Sequence, residues 1–292
     1  VAASMRDANT VYATFNNYQR GDFKPYVYKS ADRGRTWTSI AGNLPERSGA
    51  WSIAQDHLNG DLMFAGMEFG VWFTVDGGAK WTQLKGGIPT TQARDLQIQR
   101  RENDLVVGTF GRGAYILDDY SALRGVTAQA LLDDARLFPM RDAYIFSELG
   151  QFGAAWGNES TPNPAYGALF TYHVGQAPAA DAKLVLSIAD DAGRPVRRLD
   201  LAREPGLQRI AWNLRGEPLA AGRGGGGRGG AVAQAEDGDA QDEPPVFTGR
   251  GATPQGALVA PGRYRATLGR LVGDVVTPIG ESQSFRVLPL PR

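Results

Sequence analysis

Four charged residues have the types and positions that a binding or catalytic site would use. They are Glu68, Arg94, Asp95 and Arg112, each at the beginning or end of an apolar run in the first part of the 292-residue chain. Carboxylates can cleave a glycosidic bond, for which two such groups are usually needed. A guanidinium binds a carboxylate through two parallel hydrogen bonds. These residues therefore fit glycoside chemistry or recognition of an anionic ligand.

The same four residues also fit structural roles. Glu68 and Arg112 have the charges for a salt bridge between neighbouring sheets, and Arg94 and Asp95 could satisfy backbone groups where a strand begins. The sequence leaves both interpretations open.

Composition excludes several classes of site. The 31 basic and 31 acidic residues balance, so the net charge does not indicate a nucleic-acid partner. Cysteine is absent and only two histidines occur, which excludes thiolate or His-rich metal centres and leaves no assignable Ser-His-Asp set. No apolar run reaches the roughly 20 residues of a membrane span. We therefore predict no metal, no cofactor, no nucleic-acid partner and no membrane span.

The elements that must position the charged residues are repeated along the chain. The stretch SADRGRTW (Ser30–Trp37) returns 44 positions later as TVDGGAKW (Thr74–Trp81), and both fit Ser/Thr-x-Asp-x-Gly-x-x-Trp. Short runs rich in Val, Tyr, Phe, Trp and Thr surround both copies, and a third copy without the box opens at ARDLQIQ (Ala93–Gln99). A repeat of about 40–45 residues with four strands predicts propeller blades.

Each eight-residue box has the composition of a hairpin turn. The Asp can accept hydrogen bonds from turn amides, and the Gly two positions later supplies a positive φ. The Trp then begins the next strand and can be buried between neighbouring blades. We therefore predict structural roles for eight box positions: Ser30, Asp32, Gly34, Trp37, Thr74, Asp76, Gly78 and Trp81.

The boxes resemble the Asp-box, or bacterial-neuraminidase repeat, of sialidases, other propeller glycosidases and sortilin-type receptor ectodomains. The stretch GTFGRGAYILDD (Gly108–Asp119) is similar to the final-blade segment of bacterial glycosyl-hydrolase or sortilin-like repeat proteins. Phe110 stands where that segment usually has histidine, so a role of the histidine does not carry over. The resemblance implies that the boxes lie on the propeller edge away from a catalytic face.

The second half of the chain predicts a different β-domain. GLQRIAWNLRG (Gly206–Gly216) and APGRYRATLGR (Ala260–Arg270) resemble the Ig-like module of flagellar hook-capping proteins, with Trp212 and Tyr264 as core residues. We predict an all-β chain with the last two to three blades of a β-propeller at 1–146 and a linker at 147–167. An Ig-like β-sandwich would follow at 168–292, with a disordered Gly-rich and acidic loop at 221–251.

These features favour an extracytoplasmic bacterial repeat protein that presents a glycan- or protein-binding face. The alternative is an exo-acting glycoside hydrolase, sialidase-like or another propeller glycosidase, with its main carboxylates on blades outside this chain. Because two or three blades cannot close a ring, we expect upstream blades of the same chain, or several copies that assemble one ring. A signal peptide ahead of those blades would give a secreted or periplasmic location.

Overall fold

The protein is described by a computed structural model at residues 1–85, 87–146, 164–218 and 256–290. These residues form twenty β-strands and two short 3₁₀ helices, which confirms the all-β class. They divide into two compact units, Val1–Asp133 and Asp134–Arg292. The predicted loop at 221–251 and most of the predicted linker lie outside the described residues. No helix within the described ranges is long and apolar enough to cross a membrane.

The first unit contains three antiparallel sheets that follow one another along the chain. The first sheet consists of β1 (Ala2–Ala3), β2 (Val11–Asn17), β3 (Asp22–Ser30) and β4 (Thr38–Ser39). The second consists of β5 (Ala50–Gln55), β6 (Met63–Met67), β7 (Gly70–Thr74) and β8 (Thr82–Gln83). The third consists of β9 (Ala93–Gln99), β10 (Asp104–Thr109) and β11 (Ala114–Leu117). Each sheet is a meander in sequence order, which fits part of a propeller.

The second sheet is covered on both faces. Every residue of β6 is buried. Met63 and Met67 on one face pack with Tyr12 and Val27 of the first sheet. On the other face, the Ser52 hydroxyl donates a hydrogen bond to a carbonyl of β9 in the third sheet. Because strand side chains alternate between faces, the apolar run of β6 is explained by this double coverage.

The first box closes its turn through one carboxylate. Asp32 accepts hydrogen bonds from the backbone N–H groups of Arg35 and Thr36 at 3.0 and 2.9 Å, and from the Ser30 hydroxyl at 2.7 Å. Hydrogen bonds from the Thr36 side chain and backbone and from Ser30 lower the pKa of Asp32 to about 2. The turn is therefore held by an ionised carboxylate over the ordinary pH range.

The second box adds a contact with the preceding sheet. Trp81 is 1% exposed and its indole N–H donates to the Ile40 carbonyl at 2.8 Å. Asn43 binds the Trp81 backbone twice, since its amide oxygen accepts from the Trp81 N–H at 2.6 Å and its amide nitrogen donates to the Trp81 carbonyl at 3.0 Å. Trp37, the corresponding residue of the first box, is 41% exposed. The second box thus joins the first two sheets.

The second unit consists of two sheets that share one apolar core. One sheet orders β12 (Ala135–Leu137), β14 (Ala168–Val174) and β17 (Gly206–Trp212). The other orders β13 (Ala143–Ile145), β20 (Gln283–Pro289), β18 (Gly262–Val272), β15 (Ala182–Asp190) and β16 (Pro195–Asp200), with β19 (Val275–Pro278) beside β18. Residues of both sheets form a single cluster of buried side chains, as in a β-sandwich.

The predicted core residues of the sandwich are buried together. The rings of Trp212 and Tyr264 meet edge to face with centroids 5.7 Å apart, and both contact Phe285. The predicted propeller boundary at residue 146 differs from the division of the chain at 133/134. The physical reason is that β12 pairs with β14 and β13 pairs in parallel with β20, so residues 135–145 bond to strands of the second unit.

We expect Trp81→Ala to destabilise the first unit by about 3–5 kcal/mol, because it empties the contact between two sheets. The matched change Trp37→Ala removes a half-exposed ring and should cost less than half as much. Urea unfolding of both variants, monitored by hydrogen exchange of amides in the first unit, measures the two losses in free energy of unfolding. Equal costs would contradict the role assigned to Trp81.

Candidate functional site

The two ends of each sheet in the first unit carry different turns. In the second sheet, Met67 pairs with Gly70 at one end and Met63 pairs with Thr74 at the other. The β6–β7 turn with Glu68 therefore lies at the end opposite the second box. We call the first end the hairpin edge, formed by the turns β2–β3, β6–β7 and β10–β11, and the other end the box edge. Glu68 thus lies at the end of the sheet opposite the box turn.

Glu68 is held in place by three hydrogen bonds at the hairpin edge. Its backbone N–H donates to the Gly49 carbonyl at 2.9 Å. One carboxylate oxygen accepts from the Trp51 indole N–H at 3.0 Å, and the other accepts from the Gln92 side-chain amide at 2.6 Å. The carboxylate is therefore oriented by residues from β5 and from the segment before β9.

Gln92 connects Glu68 to Arg94. Its amide nitrogen donates to Glu68, while its amide oxygen accepts from Arg94 Nε at 2.8 Å. A carboxylate can only accept and a guanidinium can only donate, so the two neighbours allow a single orientation of this amide. Gln92 therefore orients the Arg94 guanidinium relative to the fixed carboxylate of Glu68.

The Arg94 guanidinium lies over two aromatic rings. Its central carbon is 3.7 Å from the centroid of Trp51 and 4.9 Å from that of Phe110. Cation–π contacts of this kind contribute about 0.5–1 kcal/mol each at exposed sites. With Nε bound by Gln92, the Nη edge has no hydrogen-bond or ion-pair partner among the described residues. Arg94 therefore presents two Nη donors that are fixed in position and have no partner among the described residues.

Exposed aromatic rings surround this network. Tyr18, Phe69 and Phe110 lie in or beside the hairpin turns of the first, second and third sheets, and each is about half-exposed or more. The ring of Tyr18 lies 5.9 Å from that of Trp51. The hairpin edge therefore combines apolar rings from all three sheets with charged side chains that include Glu68 and Arg94.

Two of the predicted site residues lie apart from the network. Asp95 alternates with Arg94 along β9, so its side chain lies on the other face, where it accepts a hydrogen bond from Gln97 at 3.2 Å. Arg112 lies exposed in the β10–β11 turn. The expected salt bridge between Glu68 and Arg112 is absent from the described contacts, and the Glu68 oxygens accept from Trp51 and Gln92.

Sequence reasoning missed three members of the network. Trp51 begins the inner strand of the second sheet, Gln92 precedes β9, and Phe110 attracted notice only as a substitution. A glutamine amide belongs to no catalytic pattern, so spacing alone gave no signal for it. The described residues contain no group of three acidic or His side chains that could hold a metal ion.

A second polar cluster is buried at the box edge. Asp56 follows β5 and is fully buried. One oxygen accepts from the Tyr120 hydroxyl and from Arg124 Nη2, both at 2.7 Å, and the other accepts from Arg124 Nε at 2.9 Å. Arg124 also donates to Asn103 at 2.7 Å. The cluster ties the loop after β5 to the 3₁₀ helix after the third sheet.

Ionisation of this cluster is strongly coupled to folding. Burial by itself raises the pKa of Asp56, but hydrogen bonds from Arg124 and Tyr120 outweigh it and lower the pKa to about 2. Burial and the Asp56 charge raise the pKa of Tyr120. His57 Nδ1 lies 3.5 Å from the same carboxylate, and the His57 side chain is largely buried. The cluster acts as a structural clamp.

Comparison with known proteins gives only distant likenesses. No family model and no curated protein matches the chain. It is similar to an ancestral GH74 enzyme at 12% identity and a TM-score of 0.30, over 67% of this chain and 26% of that one. It is also similar to the extracellular domain of a one-component system from B. thetaiotaomicron (13% identity, TM-score 0.25, 91% and 28%) and to the GH74 xyloglucanase of Xanthomonas campestris (14%, 0.29, 94% and 37%). The chain thus spans well under half of each, and TM-scores of this size assign it no activity.

The Asp56 clamp predicts loss of stability in acid. The pKa of Asp56 is lower in the folded chain than in the unfolded one, so its contribution is present above about pH 4 and is lost, by about 2 kcal/mol, towards pH 2. At neutral pH, Asp56→Asn leaves Arg124 buried without its counter-ion and should cost about 3–5 kcal/mol. Urea unfolding from pH 7 to pH 2 measures both effects. The difference in free energy of unfolding between the wild type and Asp56→Asn should become smaller below about pH 4.

The exposed carboxylate Asp95 supplies the control for this clamp. Asp95→Asn should leave the free energy of unfolding within about 0.5 kcal/mol of wild type at every pH. If Asp56→Asn behaves like Asp95→Asn, the clamp contributes nothing to folding.

Proposed function

We propose that this chain is part of an extracytoplasmic bacterial β-propeller repeat protein and that its hairpin edge binds a glycan. The observation that carries the proposal is the Arg94 guanidinium, which lies over the rings of Trp51 and Phe110 and whose Nη edge has no partner among the described residues. A side chain fixed before binding loses little conformational entropy when a ligand arrives. The network is therefore pre-organised for recognition.

The chemistry of the edge suits a sugar. The exposed rings of Tyr18, Phe69 and Phe110 offer apolar faces that stack on the C–H faces of pyranose rings. The Arg94 donors suit hydroxyl or carboxylate oxygens, since a guanidinium can donate two parallel hydrogen bonds. Binding sites commonly combine an aromatic lining with a few fixed polar groups in this way. A protein ligand would use the same rings and is the alternative outcome of the test below.

Glycoside hydrolysis is the second candidate function, and the position of Glu68 favours it. A hydrolase normally has two carboxylates flanking the bond, about 5–10 Å apart. Within the described part of the chain, Glu68 is the one carboxylate bonded into the Trp51–Gln92–Arg94 network. Hydrolysis would therefore need a second acid from a further blade, whereas binding needs none.

The larger context of the chain belongs to the same proposal. We place the three sheets at the end of a propeller whose other blades precede them in the polypeptide, and the protein in the periplasm or outside the cell. The second unit, Asp134–Arg292, would be an Ig-like module that follows the propeller in the chain. Repeats that bury their faces against neighbouring repeats support this arrangement.

A panel of immobilised neutral and acidic oligosaccharides tests the proposed binding. We expect the full chain to bind one class, and calorimetry with that sugar to give a Kd that Arg94→Ala and Phe110→Ala each weaken about tenfold or more. Arg35→Ala removes an equally exposed guanidinium at the box edge and should leave the Kd unchanged.

Other outcomes would redirect the proposal. If no sugar binds, or if Arg35→Ala weakens binding as much as Arg94→Ala, the glycan site at the hairpin edge is contradicted and a protein ligand becomes the better hypothesis. If the bound sugar is cleaved, and Glu68→Gln stops cleavage while the Kd is kept, the hydrolase alternative takes its place.

A further inference from the structure

One face of the first sheet is aromatic and open. Phe15 is 50% exposed and stacks on Tyr26 and Tyr28, with ring centroids 4.8 and 5.6 Å away. Phe15 lies opposite Tyr26 across β2 and β3, whereas the alternate residues Tyr12 and Val27 face the second sheet. An open stack of rings on a sheet face commonly marks an interaction surface.

The corresponding face of the second sheet is covered. Trp72 occupies the position 44 residues after Tyr28, in the same register of the repeat. It packs against the cluster that joins the first two sheets, together with Met63 and Met67. The same side of the repeat is therefore packed in one copy and open in the other.

The two boxes differ in the same way. A Cβ added at Gly78 would lie 2.8 Å from both Cβ and the carbonyl oxygen of Ile40, so this glycine permits close approach of the preceding sheet. The same atom added at Gly34 would meet nothing within 4 Å except the ring of Trp37 at 3.6 Å. The Trp37 indole N–H donates to Gly34 of its own turn, at 3.1 Å, whereas that of Trp81 donates to Ile40. The first box thus has the same sequence pattern as the second, but no preceding sheet packs against it among the described residues.

The loop after the first sheet shows which residues a preceding sheet needs in order to bind a box. Gly42 and Asn43 after the first sheet receive the second box, Asn43 through its two bonds to the Trp81 backbone. A Cβ at Gly42 would lie 2.7 Å from the Gly78 carbonyl oxygen. The third sheet has no box, and the loop that precedes it has Gly87 at the position of Asn43. The asparagine therefore occurs where there is a box tryptophan for it to bind.

We propose that the open face of the first sheet and the first box are the docking surface for a further sheet of the same repeat, whose closing loop carries Gly-Asn-Leu-Pro or a close variant. That loop leads directly into the first strand of the sheet it holds, as Gly49 leads into β5. The occupant is therefore joined to the chain immediately ahead of β1.

A second copy of this chain is a poorer occupant. Its Asn43 is already bound to its own Trp81. Its remaining loop of this type, before the third sheet, offers Gly87, which has no side-chain amide. The interface between the first two sheets can be repeated only by a loop that brings its own asparagine.

A tandem chain tests the docking surface. A copy of residues Ala2–Gly49, carrying Trp37→Phe so that one Trp37 remains, is inserted between Val1 and Ala2 of the full chain. We expect the remaining Trp37 to become buried, with amide hydrogen exchange slowed about tenfold or more. The matched control adds Asn43→Ala in the inserted copy and should return the exchange towards the rate in the original chain.

Three results would overturn the proposal. The first is unchanged exchange of Trp37 in the tandem chain, whether or not the inserted sheet folds, because this sheet already carries the loop that docking requires. The second is protection of Trp37 that does not depend on the inserted Asn43. The third is concentration-dependent protection in the original chain, which would identify a second copy as the occupant.

Discussion

The first unit depends on the contact that Trp81 makes with the loop Ile40–Leu44. One buried indole, its hydrogen bond to a carbonyl, and the two bonds from Asn43 fix the second sheet against the first. A sheet with an apolar face must bury that face against another element, so each of these sheets covers a neighbour. Without this contact the second sheet would lose its alignment with the first, and Tyr18 of the first sheet would lose its position beside Trp51.

The candidate site is built across the second and third sheets, which the hydrogen bond from Ser52 to Ala93 also joins. Trp51 and Glu68 belong to the second sheet, while Gln92 and Arg94 lie just before and within the third. Hydrogen bonds connect the four in one chain from the indole to the guanidinium. Each hydrogen bond fixes the orientation of the next side chain. The position of the Arg94 donors therefore depends on Trp51, Glu68 and Gln92. The boxes and the Asp56 cluster, which have structural roles, lie at the opposite edge.

The sequence predicted the features that depend on neighbouring residues, namely the box turns and the core rings of the second unit. The boxes read as turns because Asp32 and Asp76 accept nearby amides, and Trp212 and Tyr264 read as core because large rings in strands are buried. Contacts between distant residues could not be predicted in this way. The parallel pairing of β13 with β20 gives residues 143–145 to the second unit, and no local signal reports it. Likewise, Gln92 matters only because folding places it between Glu68 and Arg94, whereas alternation along β9 separates Asp95 from Arg94.

Nuclear magnetic resonance of the tryptophan indole N–H groups tests most directly whether the hairpin edge is a binding site. The chain has six tryptophans, and among the described ones only the indole of Trp51 bonds to Glu68. Titration with an oligosaccharide selected on the panel should shift the Trp51 resonance saturably, while the Trp81 and Trp212 resonances, which report buried cores, stay in place. A Trp51 resonance that does not move at saturation would contradict the account and place the ligand elsewhere.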